Sequence, residues 1–288
     1  MTTGILLIMV GSNRLYQHWA ENLVTTIRHI HPTMPIRIVT SGMYLQPRYA
    51  DNVTYVTANA NHYNHAGRFA PGKIKLHMDM YSDFDRTIYL DVDGAVINDL
   101  EKAADCFGEV GIQCTARYTH EDTTWKCQWA SLQQVREWYT LPATYELPEL
   151  NSSFVVWTKG EVAARFFEQA RANFKEDYSG QNWGRTFPDE LAFNVAFAQT
   201  GIDPMPNRTD AHWPICFNIS WGGFASAGEA KAAGVAVLGL FGEMNGQFKR
   251  QYEAYDAVLG NAHKAVYGCW PMIKAYQLMR GKFIKVAR

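Results

Sequence analysis

Residues 86–100 read RTIYLDVDGAVINDL, and this stretch decides where the chain carries its chemistry. Residues 87–90 form a short apolar, β-prone run, which predicts a strand that delivers Asp91 and Asp93 at its end. Residues two apart on an extended backbone point the same way, so both carboxylates can face one ligand. Two adjacent acids repel each other unless a cation lies between them, and Mg²⁺ or Mn²⁺ takes oxygen ligands of this kind. The alternative is a strand that ends in a solvated acidic turn.

The chain before this stretch alternates between apolar strands and an amphipathic helix. Residues 5–10 are an apolar run typical of a strand buried on both faces, and residues 11–13 form a polar turn. Apolar residues at helical spacing predict a helix over 15–30, and further strands are predicted at 35–40 and 53–57. We therefore predict an α/β fold, a single Rossmann-like domain with a mixed, mostly parallel central sheet flanked by helices.

The ends of the predicted strands indicate where a ligand would bind. In a sheet of this kind ligands lie beyond the carboxyl ends of the strands, which is where the polar turn at 11–13 and the acidic pair fall. A helix predicted over 71–84 carries Lys73 and Lys75, and each lysine is either a phosphate ligand or an ordinary surface charge. The first turn and the acidic turn are thus predicted to share one crevice.

Two later segments add polar residues. A strand predicted at 154–157 follows the small hydrogen-bonding residues 151–153. A helix follows over 161–173, and another is opened by Pro188, Asp189 and Glu190. Proline and acids are favoured at a helix N-terminus on dipole grounds alone, so these two acids have a structural explanation that needs no catalysis.

The composition is that of a globular protein without a strong bulk charge. The 288 residues are 47% hydrophobic and carry a formal net charge of −1, which excludes a general electrostatic attraction to polyanions. The five cysteines show no C-x-x-C spacing, which predicts reduced, mostly structural thiols in a cytoplasmic protein. The apolar run at 4–10 lacks a basic leader and is too short to span a bilayer, so neither a secretion signal nor a transmembrane segment is predicted.

The ordered set of blocks resembles the glycogenin-like, family-8-type glycosyltransferases. It consists of a strand ending in Tyr-Leu-Asp-x-Asp, a strand entered through Asn-Ser-small, and an acid-opened helix that contains Asn194. The resemblance covers roughly residues 5–241. It implies a GT-A-type domain that binds a nucleotide-diphosphate sugar, a UDP-sugar, together with Mn²⁺ or Mg²⁺. The implied reaction is transfer of the sugar to an acceptor hydroxyl with retention of configuration.

The resemblance also implies roles for particular residues. Asp91 and Asp93 would hold the metal ion with His263 as the third ligand. Asp189 and Glu190 would be the catalytic residues. Together with the strand ends and the predicted helix over 71–84, these roles give the residues predicted to bind the donor and its metal: Val10, Gly11, Ser12, Asn13, Lys73, Asp91, Val92, Asp93, Asn151 and Ser152.

Three positions depart from the family's pattern. Ser153 stands where the family has Gly or Ala, and Glu190 stands where it has Gln. The third departure is the late His-x-x-Gly-x-x-Lys-Pro-Trp block that supplies the family's third metal ligand, because residues 237–249 read VLGLFGEMNGQFK in its place. His263 is the expected substitute, and the alternatives are His212 or no third ligand.

The remaining expectations concern domain limits and partners. We expect residues 1–250 to form the transferase domain, with a nucleotide- and metal-binding half at 1–100 and a donor-sugar and acceptor half at 101–250. Residues 251–288 would be a basic helical extension whose apolar stripe could contact an anionic membrane surface or another polyanion. The protein would then be cytoplasmic, either free or peripheral to the inner face of a membrane. The acceptor stays open among a glycan, a lipid, a protein, a small molecule and a modified nucleic acid.

Two other functions fit parts of the same pattern. Residues 90–94, LDVDG, also match the first motif of haloacid-dehalogenase-type phosphatases, in which Asp91 would be the nucleophile and Asp93 the acid/base. That motif normally opens its fold, whereas an α/β half precedes it here. The other alternative is a non-catalytic relative that binds nucleotide-sugars without turnover.

Overall fold

The computed structural model describes most of the chain. The described residues are 1–65, 67–105, 111–117, 126–127, 130–141, 148–174, 189–205, 216–218, 226–239 and 249–268. Their strands are β1 (Thr3–Met9), β2 (Ile36–Thr40), β3 (Val53–Thr57), β4 (Asn64–His65), β5 (Arg68–Phe69), β6 (Arg86–Leu90), β7 (Gly94–Val96), β8 (Ile112–Arg117), β9 (Lys126–Cys127), β10 (Ala130–Ser131), β11 (Glu149–Thr158), β12 (Cys216–Asn218) and β13 (Val237–Gly239). Their α-helices are α1 (Arg14–Ile30), α2 (Ala60–Tyr63), α3 (Leu100–Asp105), α4 (Leu132–Trp138), α5 (Glu161–Ala172), α6 (Asp189–Thr200), α7 (Ala227–Ala232) and α8 (Lys249–Tyr267). Two 3-10 helices run over Pro47–Tyr49 and Pro71–Met80.

The main sheet has six strands in the order β3-β2-β1-β6-β11-β8. The first four strands are mutually parallel, whereas β11 runs antiparallel to both β6 and β8. The residues of β1 from Gly4 to Met9 are buried, as a central strand covered on both faces requires. The structure thus confirms the predicted α/β fold with a mixed, mostly parallel sheet.

The turn after β1 starts α1. The side chain of Asn13 accepts a hydrogen bond of 3.0 Å from the backbone N–H of Leu15, which satisfies one of the free donors at the helix N-terminus. Gly11 has a φ of +100°, a conformation that side chains rarely adopt. The polar turn therefore has a defined backbone between the end of β1 and the start of α1.

The direction of β11 brings its first residues to the end of β6. The observed strand is longer than the predicted one at 154–157 and includes residues 151–153, with a register shift between Asn151 and Val155. Phe154 pairs with Leu90, and the backbone N–H of Asp91 donates to the carbonyl of Ser153 at 3.1 Å. Because the pairing is antiparallel, the entrance of β11 lies beside the acidic turn.

The helix predicted over 71–84 is a shorter 3-10 helix, so that prediction was wrong in type and length. It spans Pro71–Met80 and has a kink at His77, whose backbone is not helical. Ile74, Leu76 and Met78 are buried on its inner side. Tight 3-10 turns rarely continue for long, which is consistent with the kink.

Gly94 lies close to a neighbouring strand. β7 pairs with β13 in a three-stranded sheet, and a Cβ on Gly94 would lie 3.0 Å from Cγ1 of Val237. The packing of β7 against β13 therefore leaves little room for a side chain at this position.

The C-terminal part of the described chain packs on the main domain. α8 lies along α1, and Leu259 and Ala262 are buried. The predicted apolar stripe at 272–283 lies outside the described residues, and the division at residue 250 stays a prediction. Among the described residues, no helix combines the length and the hydropathy that crossing a membrane requires.

Candidate active site

The candidate site lies at the carboxyl end of the parallel strands. β1 and β6 are adjacent and parallel, so the turn at 10–13 and the acidic turn at 91–93 leave the sheet at the same edge. Val10 and Val92 are buried, while Ser12 and Asn13 are exposed. The predicted first turn and acidic turn therefore share one edge of the sheet.

Asp91 is surrounded by hydrogen-bond donors. The phenol of Tyr89 donates to Oδ1 of Asp91, and the hydroxyl of Ser153 donates to Oδ2 at 3.0 Å. The ammonium nitrogen of Lys75 lies 2.9 Å from Oδ1 and 3.1 Å from Oδ2. Burial and the Asp91 carboxylate raise the pKa of Tyr89 well above its usual value, so this phenol stays a donor. These contacts hold Asp91 as an oriented carboxylate.

Lys75 joins two carboxylates that come from different parts of the chain. Its ammonium nitrogen lies 3.2 Å from Oδ2 of Asp189, at the start of α6, as well as next to Asp91. The Lys75 side chain is only 14% exposed. Burial alone would lower the pKa of Lys75, but Asp189 and Asp91 raise it well above its usual value. Lys75 is therefore a buried cation between two acids.

Ser152 connects this ion cluster to Glu190. The Ser152 hydroxyl accepts from Lys75 at 3.1 Å and donates to Oδ2 of Asp189 at 2.6 Å. The backbone N–H of Ser152 donates to Oε1 of Glu190 at 3.3 Å. The structure therefore brings Asp91, Ser152, Asp189 and Glu190 together, as the sequence placed them in one site.

Asp93 lies two residues after Asp91 in the same turn and acts electrostatically on Tyr16. Burial, followed by the carboxylates of Asp93 and Asp91, raises the pKa of Tyr16, which lies in the first turn of α1. Lys75 acts on Tyr16 in the opposite direction. Tyr16 therefore lies within electrostatic range of both carboxylates of the acidic turn.

The lysine that reaches the acids is Lys75, whereas Lys73 was the one predicted to bind the donor. The Lys73 ammonium donates to the backbone carbonyls of Asn61 at 2.8 Å and Asn64 at 3.2 Å, and it lies 5.1 Å from the centroid of the Phe174 ring. These contacts stabilise the preceding loop and do not reach Asp91.

His263 lies elsewhere. It is 1% exposed in α8, with ring centroids 5.8 Å from Tyr49 and 5.6 Å from Tyr267. Burial and Arg48 lower the pKa of His263 to about 4, so its imidazole is neutral at pH 7. Neither ring nitrogen has a hydrogen-bond partner among the described residues. These contacts place His263 in the packing beside α1, without a contact to Asp91 or Asp93 among the described residues, and His212 lies outside them.

Asn151 and the turn after β1 have structural contacts of their own. The Asn151 side chain accepts from the backbone N–H of Ser153 at 3.0 Å and is buried. Gly11 donates its N–H to the Ser41 hydroxyl at 2.9 Å, and that hydroxyl donates back to the Gly11 carbonyl at 3.2 Å. Both contacts fix backbone at the rim of the site.

The acidic turn fits a hard divalent cation in its donor chemistry. The carboxylates of Asp91 and Asp189 contact the ammonium of Lys75, while Asp93 lies in the same turn as Asp91 and Glu190 contacts Ser152. Carboxylate oxygens are the ligands that Mn²⁺ and Mg²⁺ take. Of the three predicted metal ligands, the structure brings Asp91 and Asp93 to one turn but not His263. A separate His31, Asp99 and Glu101 group has ligand atoms within 4.8 Å of one another. Its atoms are engaged in capping, since Asp99 accepts from the N–H of Glu101 at 2.9 Å and His31 accepts from the N–H of Leu100 at 2.9 Å.

Comparison with known proteins yields structural neighbours only. No protein-family model and no curated protein matches the chain. The galactosyltransferase LgtC in complex with donor and acceptor sugar analogues is 12% identical with a TM-score of 0.60, and the match covers 97% of this chain and 99% of LgtC. The bifunctional glycosyltransferase WbbM is 14% identical with a TM-score of 0.58, over 93% of this chain and 51% of WbbM. The glycosyltransferase GlyE from Streptococcus pneumoniae is 10% identical with a TM-score of 0.51, over 100% of this chain and 65% of GlyE.

These neighbours share their fold with almost the whole chain. The match to LgtC extends over nearly the full length of both proteins, so the similarity is not limited to a common nucleotide-binding half. Each of the three proteins is a glycosyltransferase. The resemblance to glycogenin-like transferases is thus confirmed at the level of the fold, and the chain has the GT-A-type glycosyltransferase fold.

Proposed function

We propose that the protein is a glycosyltransferase that moves a sugar from a nucleotide-diphosphate sugar, a UDP-sugar, to an acceptor hydroxyl. The observation that carries this proposal is the cluster in which Lys75 bridges Asp91 and Asp189 and contacts Ser152. It lies at the edge of the sheet where α/β proteins bind nucleotides. The structural neighbours support the same type of reaction.

The charge of the site favours a metal-dependent reaction. Asp91 and Asp189 contact the Lys75 ammonium, Asp93 lies in the same turn as Asp91, and Glu190 contacts Ser152. Among the described residues these acids outnumber the Lys75 cation, an arrangement that repels a donor diphosphate. We propose that Asp91 and Asp93 hold Mn²⁺ or Mg²⁺. When bound, the ion would neutralise charge on the leaving diphosphate.

The protein's own groups would bind and orient the sugar. Asp189 and Lys75 present a carboxylate and an ammonium that are suited to sugar hydroxyls, and Ser152 keeps both in position. Glu190, held by the backbone N–H of Ser152, would lie near the reacting carbon and stabilise positive charge there. By the family resemblance we propose retention of the anomeric configuration.

The phosphatase alternative is not favoured. The phosphatase motif normally opens its fold, whereas β1, α1, β2 and β3 all precede Asp91 here. The structural neighbours are also glycosyltransferases. A non-catalytic nucleotide-sugar-binding protein is the remaining alternative and differs from an enzyme only in turnover.

Slow hydrolysis of the donor tests the proposed activity. Each of a panel of nucleotide-sugars is incubated with the protein and Mn²⁺, the released nucleotide is measured, and NMR gives the anomer of the freed sugar. We expect release from a UDP-sugar with the original anomer, and loss of release in Asp189→Asn. Binding of a UDP-sugar without any release, also in the presence of candidate acceptors, would identify a non-catalytic binding protein.

A further inference from the structure

An exposed aromatic ring lies beside the turn that follows β1. Phe69 is 43% exposed at the end of the β4–β5 hairpin. A Cβ on Gly11 would lie 2.9 Å from Cζ of Phe69, so the ring contacts the Gly11 backbone directly. Single exposed apolar side chains are common, so what distinguishes Phe69 is its position against the Gly11 backbone at the rim of the site.

The hairpin holds this ring in place. The N–H of Ala70 donates to the carbonyl of Tyr63 at 2.8 Å, and the Tyr63 and Phe69 rings meet edge to face with centroids 6.3 Å apart. Lys73 donates to the carbonyl of Asn64 in the same hairpin. The hairpin that carries the ring is thus held by Lys73 of the 3-10 helix at 71–80, which also carries Lys75.

The position of the ring relative to the polar cluster suggests which part of a donor it meets. Gly11 belongs to the β1 side of the edge, next to Ser41 at the end of β2, whereas Ser152 and Asp189 belong to the β11 and α6 side. A nucleotide-sugar is long, with an aromatic base at one end, hydroxyls at the other and the diphosphate between them. The acidic turn after β6 lies between the two sides.

We propose that Phe69 is the platform on which the nucleobase of the donor stacks. The inference rests on the proposed function and adds to it a determinant of donor affinity that belongs to the hairpin. Every nucleobase has a π-face, so stacking on Phe69 contributes affinity for the nucleotide and little discrimination among bases. Replacing the ring with alanine should weaken nucleotide binding about tenfold.

Calorimetric titration of UDP with Mn²⁺ in excess tests the proposal on the full chain. The variants are Phe69→Ala, Phe69→Tyr, which keeps the ring, and Tyr44→Ala, which removes another exposed aromatic ring. Inorganic pyrophosphate is titrated in parallel because it has no base. We expect Phe69→Ala to weaken UDP about tenfold, Phe69→Tyr and Tyr44→Ala to change it by less than about twofold, and pyrophosphate binding to stay the same.

The other outcomes overturn the proposal in distinguishable ways. If Phe69→Ala binds UDP as tightly as the wild type, Phe69 does not stack on the nucleobase, and the proposed function is unaffected. If Phe69→Ala loses UDP and pyrophosphate equally, the ring shapes the turn and does not stack on a base. If the wild-type protein binds no nucleotide, both the platform and the proposed function are wrong. Thermal unfolding of each variant shows whether it folds.

Discussion

The ammonium nitrogen of Lys75 lies 2.9 Å from Oδ1 of Asp91, and this contact joins the 3-10 helix at 71–80 to the end of β6. The same ammonium lies 3.2 Å from Asp189, so one buried cation holds together two carboxylates that are distant in sequence. A buried ion pair contributes little net stability compared with apolar packing, but removing one partner leaves an uncompensated charge. The cluster is therefore costly to break and suited to orienting a substrate.

Removing the Lys75 charge should destabilise the protein. We expect Lys75→Met to lower the free energy of unfolding by about 3 kcal/mol, because Asp91 and Asp189 lose their buried cation. Donor hydrolysis should be lost as well. Lys73→Met is the matched control, since its hydrogen bonds among the described residues go to the backbone carbonyls of Asn61 and Asn64. Urea unfolding and hydrolysis assays measure both effects, and equal losses in the two variants would contradict the central role of Lys75.

Glu190 offers a test of the charge in the site. Glu190→Gln keeps an oxygen that can accept from the N–H of Ser152 and removes one negative charge. We expect the variant to fold normally and to bind UDP more tightly than the wild type when no metal is added, because a diphosphate then meets less repulsion. Titration of UDP in EDTA measures this change. Weaker binding by the variant would show that the carboxylate does not repel the nucleotide.

A substitution at His263 distinguishes a role in packing from a role in metal binding. His263→Phe should leave the free energy of unfolding unchanged or raise it by about 1 kcal/mol. The reason is that apolar atoms replace two buried ring nitrogens that have no hydrogen-bond partner among the described residues. Mn²⁺ affinity in the presence of UDP should not change. A clear loss of Mn²⁺ affinity in a variant that folds normally would restore His263 as a metal ligand.

The stacked rings of His62 and His77 make stability depend on pH. Their ring centroids are 3.7 Å apart, and burial followed by His62, Arg171 and Lys73 lowers the pKa of His77 to about 3. The unfolded chain has a histidine pKa of about 6.5 and so binds more protons than the folded one between these values. Stability should fall as the pH drops from about 6.5 towards about 3 and level off below.

The control for this pH dependence is His77→Phe, which keeps an aromatic ring and removes the titrating group. Urea unfolding at about pH 7 and about pH 5 should show a smaller loss for the variant than for the wild type. Equal losses would assign the acid sensitivity to other groups.

Part of the site could be predicted from local patterns. The apolar run before Asp91 and Asp93 predicted a strand ending in a paired acidic turn, because a period of two and a β-prone composition are properties of the segment itself. The same period of two contains a further signal, at Tyr89. Tyr89 lies two residues before Asp91 and therefore on the same face, where it donates to that carboxylate.

Other parts depended on packing that a single sequence does not contain. Residues two apart on a helix point to nearly opposite sides, so choosing Lys75 over Lys73 requires knowing which side faces β6. The contact of Ser153 with Asp91 depends on the antiparallel register of Phe154 with Leu90, which is a property of the sheet. His263 was chosen from its order in the chain, and its burial beside α1 is a tertiary feature.

The most direct test of the central claim is calorimetric binding of a UDP-sugar with Mn²⁺ and with EDTA, for the wild type and Asp93→Asn. The account predicts binding that is far tighter with Mn²⁺ than with EDTA and a loss of this difference in Asp93→Asn, while the variant keeps its thermal stability. Absence of nucleotide-sugar binding by the wild type under both conditions, together with phosphatase activity that Asp91→Asn abolishes, would contradict it.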